Sequence, residues 1–310
     1  MLIGFLHSFA ILAIGTFVLS LCNESFRPAN STAVAHYSDG TNQTRSYSLN
    51  RLAINLGWAV GGGLGGFLAS VNYHLLFWVD GCSNILAAIL LLTLMRRSSV
   101  KKTIKKPDTT IVKTSAYKDK TYLLFIVFAT MFAMCFYQFM IMQPVFFKID
   151  WHFSERFIGF LMALNGLLIV AIEMVMIHKL EGKRPGLVYI YCGVALGSIG
   201  YVLLNILPPS MTTAVIVVLL ITFSEMFAMP FMNAFWINRT TPHNRGEYAA
   251  LYSMSWSAAQ IIAPFFGSNL IYYGGFELLW WVLGGVSFLS AVGYYFMHLA
   301  DKRQAVIHSV

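Results

Sequence analysis

Charged side chains inside long apolar stretches are the groups of this chain best placed to do chemistry. Glu24 and Arg27 lie three positions apart in one such stretch, so on a helix they would share a face. Glu225 lies in another stretch, with no arginine close to it. A charge inside a membrane costs about 2.5–3.5 kcal/mol on insertion scales, so each of these residues needs a partner or a function.

Two kinds of role fit these three residues. A carboxyl group at such a depth could bind and release a proton or hold a cation, while Arg27 could balance Glu24 or bind an anionic group. The structural alternatives are an internal ion pair between Glu24 and Arg27, and a protonated Glu225 that hydrogen-bonds to a neighbouring helix. Both roles are compatible with the sequence.

Soft apolar surface is the second candidate feature. Two stretches mix methionine with aromatic residues, TMFAMCFYQFMIMQP from residue 130 and SEMFAMPFMNAFW from residue 224. Such side chains form adaptable pockets for varied apolar ligands, although ordinary helix packing or a lipid-facing surface would use them as well. The polar side chains that could orient a ligand beside such a surface are Tyr137, Gln138, Gln143, Asn165, Asn233 and Gln260.

The composition requires a membrane to hold these stretches. Hydrophobic residues make up 57% of the 310 residues and charged residues 11%, against about 25% charged residues in soluble domains. The apolar runs are long enough to cross a bilayer as helices. The sequence therefore predicts an all-α membrane protein with nine helices, at about 8–36, 48–71, 73–96, 120–147, 154–178, 186–207, 211–237, 246–272 and 275–299.

The distribution of basic residues indicates the orientation of these helices. The net charge of +8 would suit a nucleic-acid ligand, but 18 of the 21 lysines and arginines lie in alternate connecting segments. Such alternation is the mark of cytoplasmic loops. We therefore expect no nucleic-acid partner, a cytoplasmic C-terminus, and a basic tether at 98–119 that could also attract anionic lipid.

A long-range repeat relates two helix pairs. Each pair has an acid, then a proline, then an arginine between the helices, then a glycine in the second helix. The paired landmarks are Glu24 and Glu225, Pro28 and Pro230, Arg45 and Arg245, and Gly65 and Gly267, at nearly the same offset along the chain. One offset predicts two parallel copies of one unit. It would place the start of the first copy roughly 80 residues before Met1, which is room for about three helices. The expectation is a chain with nine of twelve helices.

A glycine-rich segment carries the best local resemblance. Gly57-Trp58-Ala59-Val60-Gly61-Gly62-Gly63-Leu64-Gly65-Gly66 resembles the antiporter motif of the fifth helix in the major facilitator superfamily, GxxxGPxxGG, with Gly62 at the proline position. In such a helix, Gly57, Gly61 and Gly65 form one groove, and Gly62 and Gly66 form a neighbouring one. Bare backbone there lets another helix approach closely, for tight packing, for gating, or for both.

Two further segments resemble the same family. The segment HKLEGKR at 178–184 is similar to a degenerate form of its cytoplasmic loop signature. Asp39 lies where the family has an acid at the inner end of helix four, and Arg45 or Arg51 could be its partner. The arginine that the family usually has early in helix four is missing, since residues 10–21 carry no charge.

The resemblance implies a transporter that works by alternating access. We expect an incomplete bundle at 1–97, the linker at 98–119, a six-helix bundle at 120–300 and a cytoplasmic tail at 301–310. The expected function is proton-coupled export of small amphipathic compounds by a monomer in the inner membrane, in contact with lipid, with no cofactor and no metal. The alternatives are an inactive fragment of such a transporter and a membrane enzyme, although motifs such as HExxH and GxSxG are absent from the sequence.

Overall fold

The computed structural model describes residues 8–37, 43–94, 115–180, 182–240 and 244–308. Within these ranges the chain forms long helices, and one short 3₁₀ turn, Ala116–Lys118, precedes the fourth helix. The long helices are α1 Phe9–Tyr37, α2 Gln43–Val71, α3 Tyr73–Leu94, α4 Lys120–Ile149, α5 Glu155–Leu180, α6 Gly186–Ile206, α7 Met211–Asn238 and α8 Arg245–His308. No strand occurs among the described residues.

Helix α8 contains a break that the sequence predicted as a boundary between two helices. Gly274 and Gly275 have non-helical backbone angles, and Gly275 has φ of 68°. Side chains other than hydrogen disfavour that left-handed region, so glycine allows the chain to turn there. The break divides α8 into a first arm, residues 245–273, and a second arm, residues 276–308. Each arm exceeds the about 20 residues that cross a bilayer.

The helices have the length and composition of membrane spans. Seven described helices qualify when α8 is counted once, and the apolar part of α1, Phe9–Asn23, is shorter. Polar caps mark several ends. Asn72 accepts a hydrogen bond from the backbone N–H of His74 at the start of α3, and Ser210 accepts one from Thr213 at the start of α7. Such caps satisfy donors that the first helical turn leaves free.

The helix boundaries keep the offset of the sequence repeat. The starts of α1 and α7, the ends of α1 and α7, and the starts of α2 and α8 have almost the same separation along the chain as Gly65 and Gly267. The boundaries were predicted within a few residues, with two differences. Helix α2 begins at Gln43 rather than near 48, and α8 continues to His308 rather than ending near 299. Both extensions are polar. Hydropathy marks where a chain leaves apolar surroundings rather than where its helix ends, so the sequence pattern did not predict them.

The chain divides into two compact units. The first comprises residues 1–108 and 154–167, and the second comprises residues 109–153 and 168–310. Helix α5 therefore contributes its beginning to the first unit and the remainder to the second. In the second unit, α6 packs against α7 and α8, and α4 packs against α8. Its core is rich in large side chains that are fully buried, among them Tyr122, Phe125, Trp280 and Tyr294.

Candidate functional site

Part of the first acidic site lies outside the described residues. The backbone of Glu24 and Arg27 belongs to α1, but their side chains are not among the described ones. The same holds for the side chain of Arg45 in α2, and Asp39 lies outside the described residues altogether. Among the described side chains, a hydrogen bond of 3.1 Å from the amide of Asn30 to that of Asn50 links these two helices.

Glu225 lies inside the second unit. Its side chain is 5% exposed, and it belongs to one buried stripe along α7 with Ile221, Ser224, Ala228 and Met232. The spacing of three, four and seven residues places this stripe on a single helix face. A side chain at Gly197 of α6 would collide with the Ser224 hydroxyl, so this face lies directly against α6.

The surroundings of Glu225 are polar as well as tightly packed. Glu225 interacts electrostatically with Tyr201 of α6. The Tyr201 hydroxyl donates a hydrogen bond of 2.6 Å to the backbone carbonyl of Cys135 in α4. The acid therefore belongs to a buried polar region that joins α4, α6 and α7. Another carboxyl, Glu173 of α5, is also buried, at 4% exposure. Its position near the end of α5, five residues before His178, would suit contact with lipid headgroups, but the side chain is enclosed by protein.

The soft surface of α4 meets α8 in a group of aromatic rings that we call the Trp256 cluster. It consists of Phe132, Phe136 and Tyr137 of α4 with Tyr252 and Trp256 of α8. The four other rings lie edge-on to Trp256, with centroids 5.8 to 6.4 Å from it. Tyr137, which the sequence singled out, thus lies beside a tryptophan that the sequence did not single out.

Gln138 also links α4 to α8, through a separate hydrogen bond. Its side chain is 1% exposed, and its amide nitrogen donates a hydrogen bond of 2.5 Å to the carbonyl of Ala263 in α8. Gly267, one turn further along, leaves the space that the amide fills, since a Cβ there would overlap it. Gln138 is therefore a bridge between helices, and its carbonyl oxygen has no partner among the described residues.

The remaining polar candidates are spread over the two units. Asn233 of α7 accepts a hydrogen bond of 3.3 Å from the indole N–H of Trp236. Gln260, one turn after Trp256, is exposed, and Asn165 of α5 is buried. Asn165 belongs to the first unit, whereas Asn233, Gln260, Tyr137 and Gln138 belong to the second.

The two glycine grooves of α2 differ in what they contact. A Cβ on Gly66 would lie 2.6 Å from the Cα of Gly159 in α5, and one on Gly62 would lie 2.9 Å from the Cβ of Met162. Around Gly57 and Gly61, by contrast, nothing lies within 4 Å of such a Cβ. The groove of Gly62 and Gly66 therefore holds the beginning of α5, as small residues at membrane-helix contacts permit.

An ion pair that the sequence did not single out ties three helix ends in the second unit. Both oxygens of Asp119 accept hydrogen bonds of 3.1 Å from Arg239, which follows α7. Asp119 also caps α4 by accepting from the N–H of Tyr122, and it accepts from the hydroxyl of Tyr248 in α8. Burial opposes the charge of Asp119, but these donors and the guanidinium outweigh it and lower its pKa. The sequence does contain a signal for this residue, since an acid directly before a long apolar run is typical of a helix cap.

No group of three or more His, Cys, Asp or Glu side chains in the described part of the chain is arranged to hold a metal ion.

A match to a known family identifies the class of protein to which the chain belongs. The family model of the Major Facilitator Superfamily matches residues 1–248. The chain belongs to the major facilitator superfamily. Its long apolar helices fit a multi-pass membrane protein, and the resemblance inferred from the sequence is confirmed.

One curated protein that this chain resembles is an antiporter. The chain is similar to the "Na(+), Li(+), K(+)/H(+) antiporter" of Planococcus maritimus, with 26% identity over 204 residues. The aligned region covers 60% of this chain and 47% of the relative. The chain thus spans about half the length of the curated relative that it matches.

Proposed function

We propose that this member of the major facilitator superfamily exports small amphipathic compounds in exchange for protons. The family consists of transporters, which supports a transport function over an enzymatic one. The proposal includes the expected setting: a monomer in the inner membrane, surrounded by lipid, with its C-terminus in the cytoplasm. The burial of the Glu225 carboxyl group is the observation that supports the proton-coupling part of the proposal.

A carboxyl group buried in a membrane helix is suited to proton exchange. Charging it there is costly, so its charge state is sensitive to small changes in its surroundings. Glu225 lies on the face of α7 that packs against α6. Sliding or tilting of these two helices would therefore change the solvation of the carboxyl group directly. Such a change is what alternating access requires of a coupling residue.

The amphipathic substrate class is supported by the seam between α4 and α8. The Trp256 cluster offers aromatic edges and faces, and methionines accompany it on α4. Methionine and aromatic side chains adapt to ligands of varied shape. The half-buried positions of Phe136, Tyr137, Tyr252 and Trp256 place these rings at the margin of the core.

A second candidate function is exchange of monovalent metal cations for protons. The activity for which the Planococcus maritimus relative is named favours it. A buried carboxyl group could serve this function too, because carboxylates bind hard cations. The two candidates differ in the transported species and agree on the coupling residue.

Everted membrane vesicles with an imposed pH gradient separate the candidates. Addition of an exported species should dissipate the gradient, which a pH-sensitive dye reports. We expect dissipation on addition of amphipathic dyes such as ethidium or rhodamine 6G, and none on addition of sodium, lithium or potassium chloride. Dissipation by the salts alone would establish the cation function instead, and no response to either would overturn antiport.

The role of Glu225 is tested in the same vesicles. Glu225→Gln keeps the shape of the side chain but cannot exchange a proton, so it should abolish the response. Glu173→Gln is the matched control, because it makes the same change at another buried carboxyl group. A Glu225→Gln protein that still dissipates the gradient would remove Glu225 from the coupling mechanism.

A further inference from the structure

We propose that Trp256 is the hydrogen-bond donor of a substrate subsite, and that this subsite takes a planar aromatic compound carrying an oxygen acceptor. The inference rests on the proposed export function and names the class of compound at the α4–α8 seam. Two observations carry it: the arrangement of rings around Trp256, and an indole N–H that has no acceptor among the described residues.

The ring arrangement suits recognition of an aromatic ligand without charge. Phe136, Tyr137 and Tyr252 present their rings to Trp256 at interplanar angles of 62 to 76°. Aromatic rings prefer such edge-to-face contacts at centroid distances of about 4.5–7 Å. A planar ligand ring can therefore replace one of these contacts with little loss. These rings come from two separate helices, so a displacement of α8 against α4 would open the cluster to a ligand.

The indole N–H is the specific polar feature of the cluster. It is buried, and no acceptor in the described part of the chain lies within hydrogen-bond distance of it. A buried donor without a partner costs about 1–3 kcal/mol, and a group of this kind in a folded protein calls for an explanation. An oxygen acceptor on a bound ligand would remove that cost.

Two other tryptophans of the second unit show what is unusual about Trp256. The N–H of Trp236 is satisfied by Asn233. The N–H of Trp280 also has no described acceptor, but this side chain is fully buried and stacks on Tyr201 and Phe276 in the core. Trp256 combines the unsatisfied donor with a half-buried position. Of these three, it is the one whose ring is partly exposed while its N–H lacks an acceptor among the described residues, so an opening of the cluster would give a ligand access to that donor.

Binding to the purified full chain in nanodiscs tests the inference without a pH gradient. The probe is 10-methylacridone, a fluorescent planar compound with one carbonyl acceptor and no N–H donor, and anthracene is the matched planar compound without an acceptor. Trp256→Phe keeps an aromatic ring and removes the N–H. We expect it to weaken 10-methylacridone binding about three- to tenfold, the value of one net hydrogen bond, and to leave anthracene binding unchanged.

Trp280→Phe is the control for loss of a buried indole, and it should leave the affinity for both compounds unchanged. Equal affinity of wild type and Trp256→Phe for 10-methylacridone would overturn the inference and assign the N–H to contacts with neighbouring ring faces. An equal loss in Trp280→Phe would overturn it as well, because the effect would then be one of packing.

The experiments distinguish failure of the Trp256 subsite from failure of the proposed export function. Wild-type protein that exchanges amphipathic compounds for protons, but binds no 10-methylacridone, would overturn the subsite and leave the proposed function intact. Binding that depends on Trp256, in a protein that dissipates no pH gradient, would overturn the proposed function and support the subsite.

Discussion

Asp119 and Arg239 form a two-pronged ion pair across the second unit, with Nε and Nη2 of the arginine each 3.1 Å from a different carboxylate oxygen. The carboxylate also receives the Tyr248 hydroxyl at 2.9 Å. The start of α4, the end of α7 and the start of α8 are therefore held by one side chain. Glu247 adds a parallel contact, since its carboxylate accepts from the hydroxyl of Ser115 and the N–H of Ala116.

Removal of this carboxylate should destabilise the second unit. Asp119→Ala loses a helix cap, about 1 kcal/mol, and hydrogen bonds to a charged group, about 1.5–3 kcal/mol. We expect a total loss of about 2–4 kcal/mol on these grounds. Unfolding by denaturant can be followed through thiol labelling of the buried Cys135, after the exposed Cys22, Cys82 and Cys192 are changed to serine.

Asp150→Ala serves as the control for this measurement. It makes the same substitution at the other end of α4, where the side chain is exposed. A loss as large in Asp150→Ala as in Asp119→Ala would show that the effect does not come from the ion pair.

The contribution of Asp119 should vanish in acid. Its pKa is lowered in the folded protein, so the folded state favours the charged form more than the unfolded state does. The stabilisation is therefore complete above the unfolded pKa of about 3.9 and is lost as the pH falls through the lower folded value. The difference in stability between wild type and Asp119→Asn should be constant from pH 5 to 8 and shrink below pH 4. A difference that grows on acidification would contradict this.

The glycine grooves of α2 predict opposite effects of one substitution. Gly66→Ala places a methyl group 2.6 Å from the Gly159 Cα, which forces α2 and α5 apart, and such overpacking costs about 1–3 kcal/mol. Gly61→Ala meets no atom within 4 Å and should be neutral or stabilising by up to about 1 kcal/mol, because alanine favours helices. Thermal transitions of the two variants in detergent compare them directly. Equal shifts would argue against the helix contact.

Gly267 should tolerate alanine only when Gln138 is shortened. A Cβ at Gly267 overlaps the Gln138 amide, so Gly267→Ala alone should destabilise the α4–α8 seam. In the double variant with Gln138→Ala the space is vacated, and part of the loss should be recovered. A double-mutant cycle on thermal stability measures this coupling. Gly285→Ala, with open space around it, is the control, and strictly additive losses would refute the predicted overlap.

The orientation of the chain remains a prediction from its basic residues. Single cysteines in place of Lys183 and Pro209, in a cysteine-free background, should respond oppositely to a membrane-impermeant maleimide added to intact cells. Labelling is expected at position 209 and absent at position 183, since basic loops stay in the cytoplasm. The reverse pattern would invert the topology.

Most helix boundaries among the described residues were predictable, because membrane spans depend on length and hydropathy, which are local properties. Close packing at Gly62 and Gly66 was predictable from residue size, because small residues allow another helix to approach closely. The contacts of Asp119 were not, since Arg239 is 120 residues away. Nor was the burial of Glu173, because hydropathy does not distinguish a lipid-facing side of a helix from a protein-facing one.

The connections at Asn72 and at Gly274 and Gly275 have a mechanical consequence. They occupy corresponding positions in the repeat, since Asn72 and Gly274 have the same separation along the chain as Gly65 and Gly267. Both connections are very short, and consecutive Cα atoms are about 3.8 Å apart, so neither can stretch appreciably. Within each joined pair, α2 with α3 and the first arm of α8 with the second, the connected ends therefore keep a nearly fixed separation. Any change in the spacing of the two helices would have to be largest at the opposite ends.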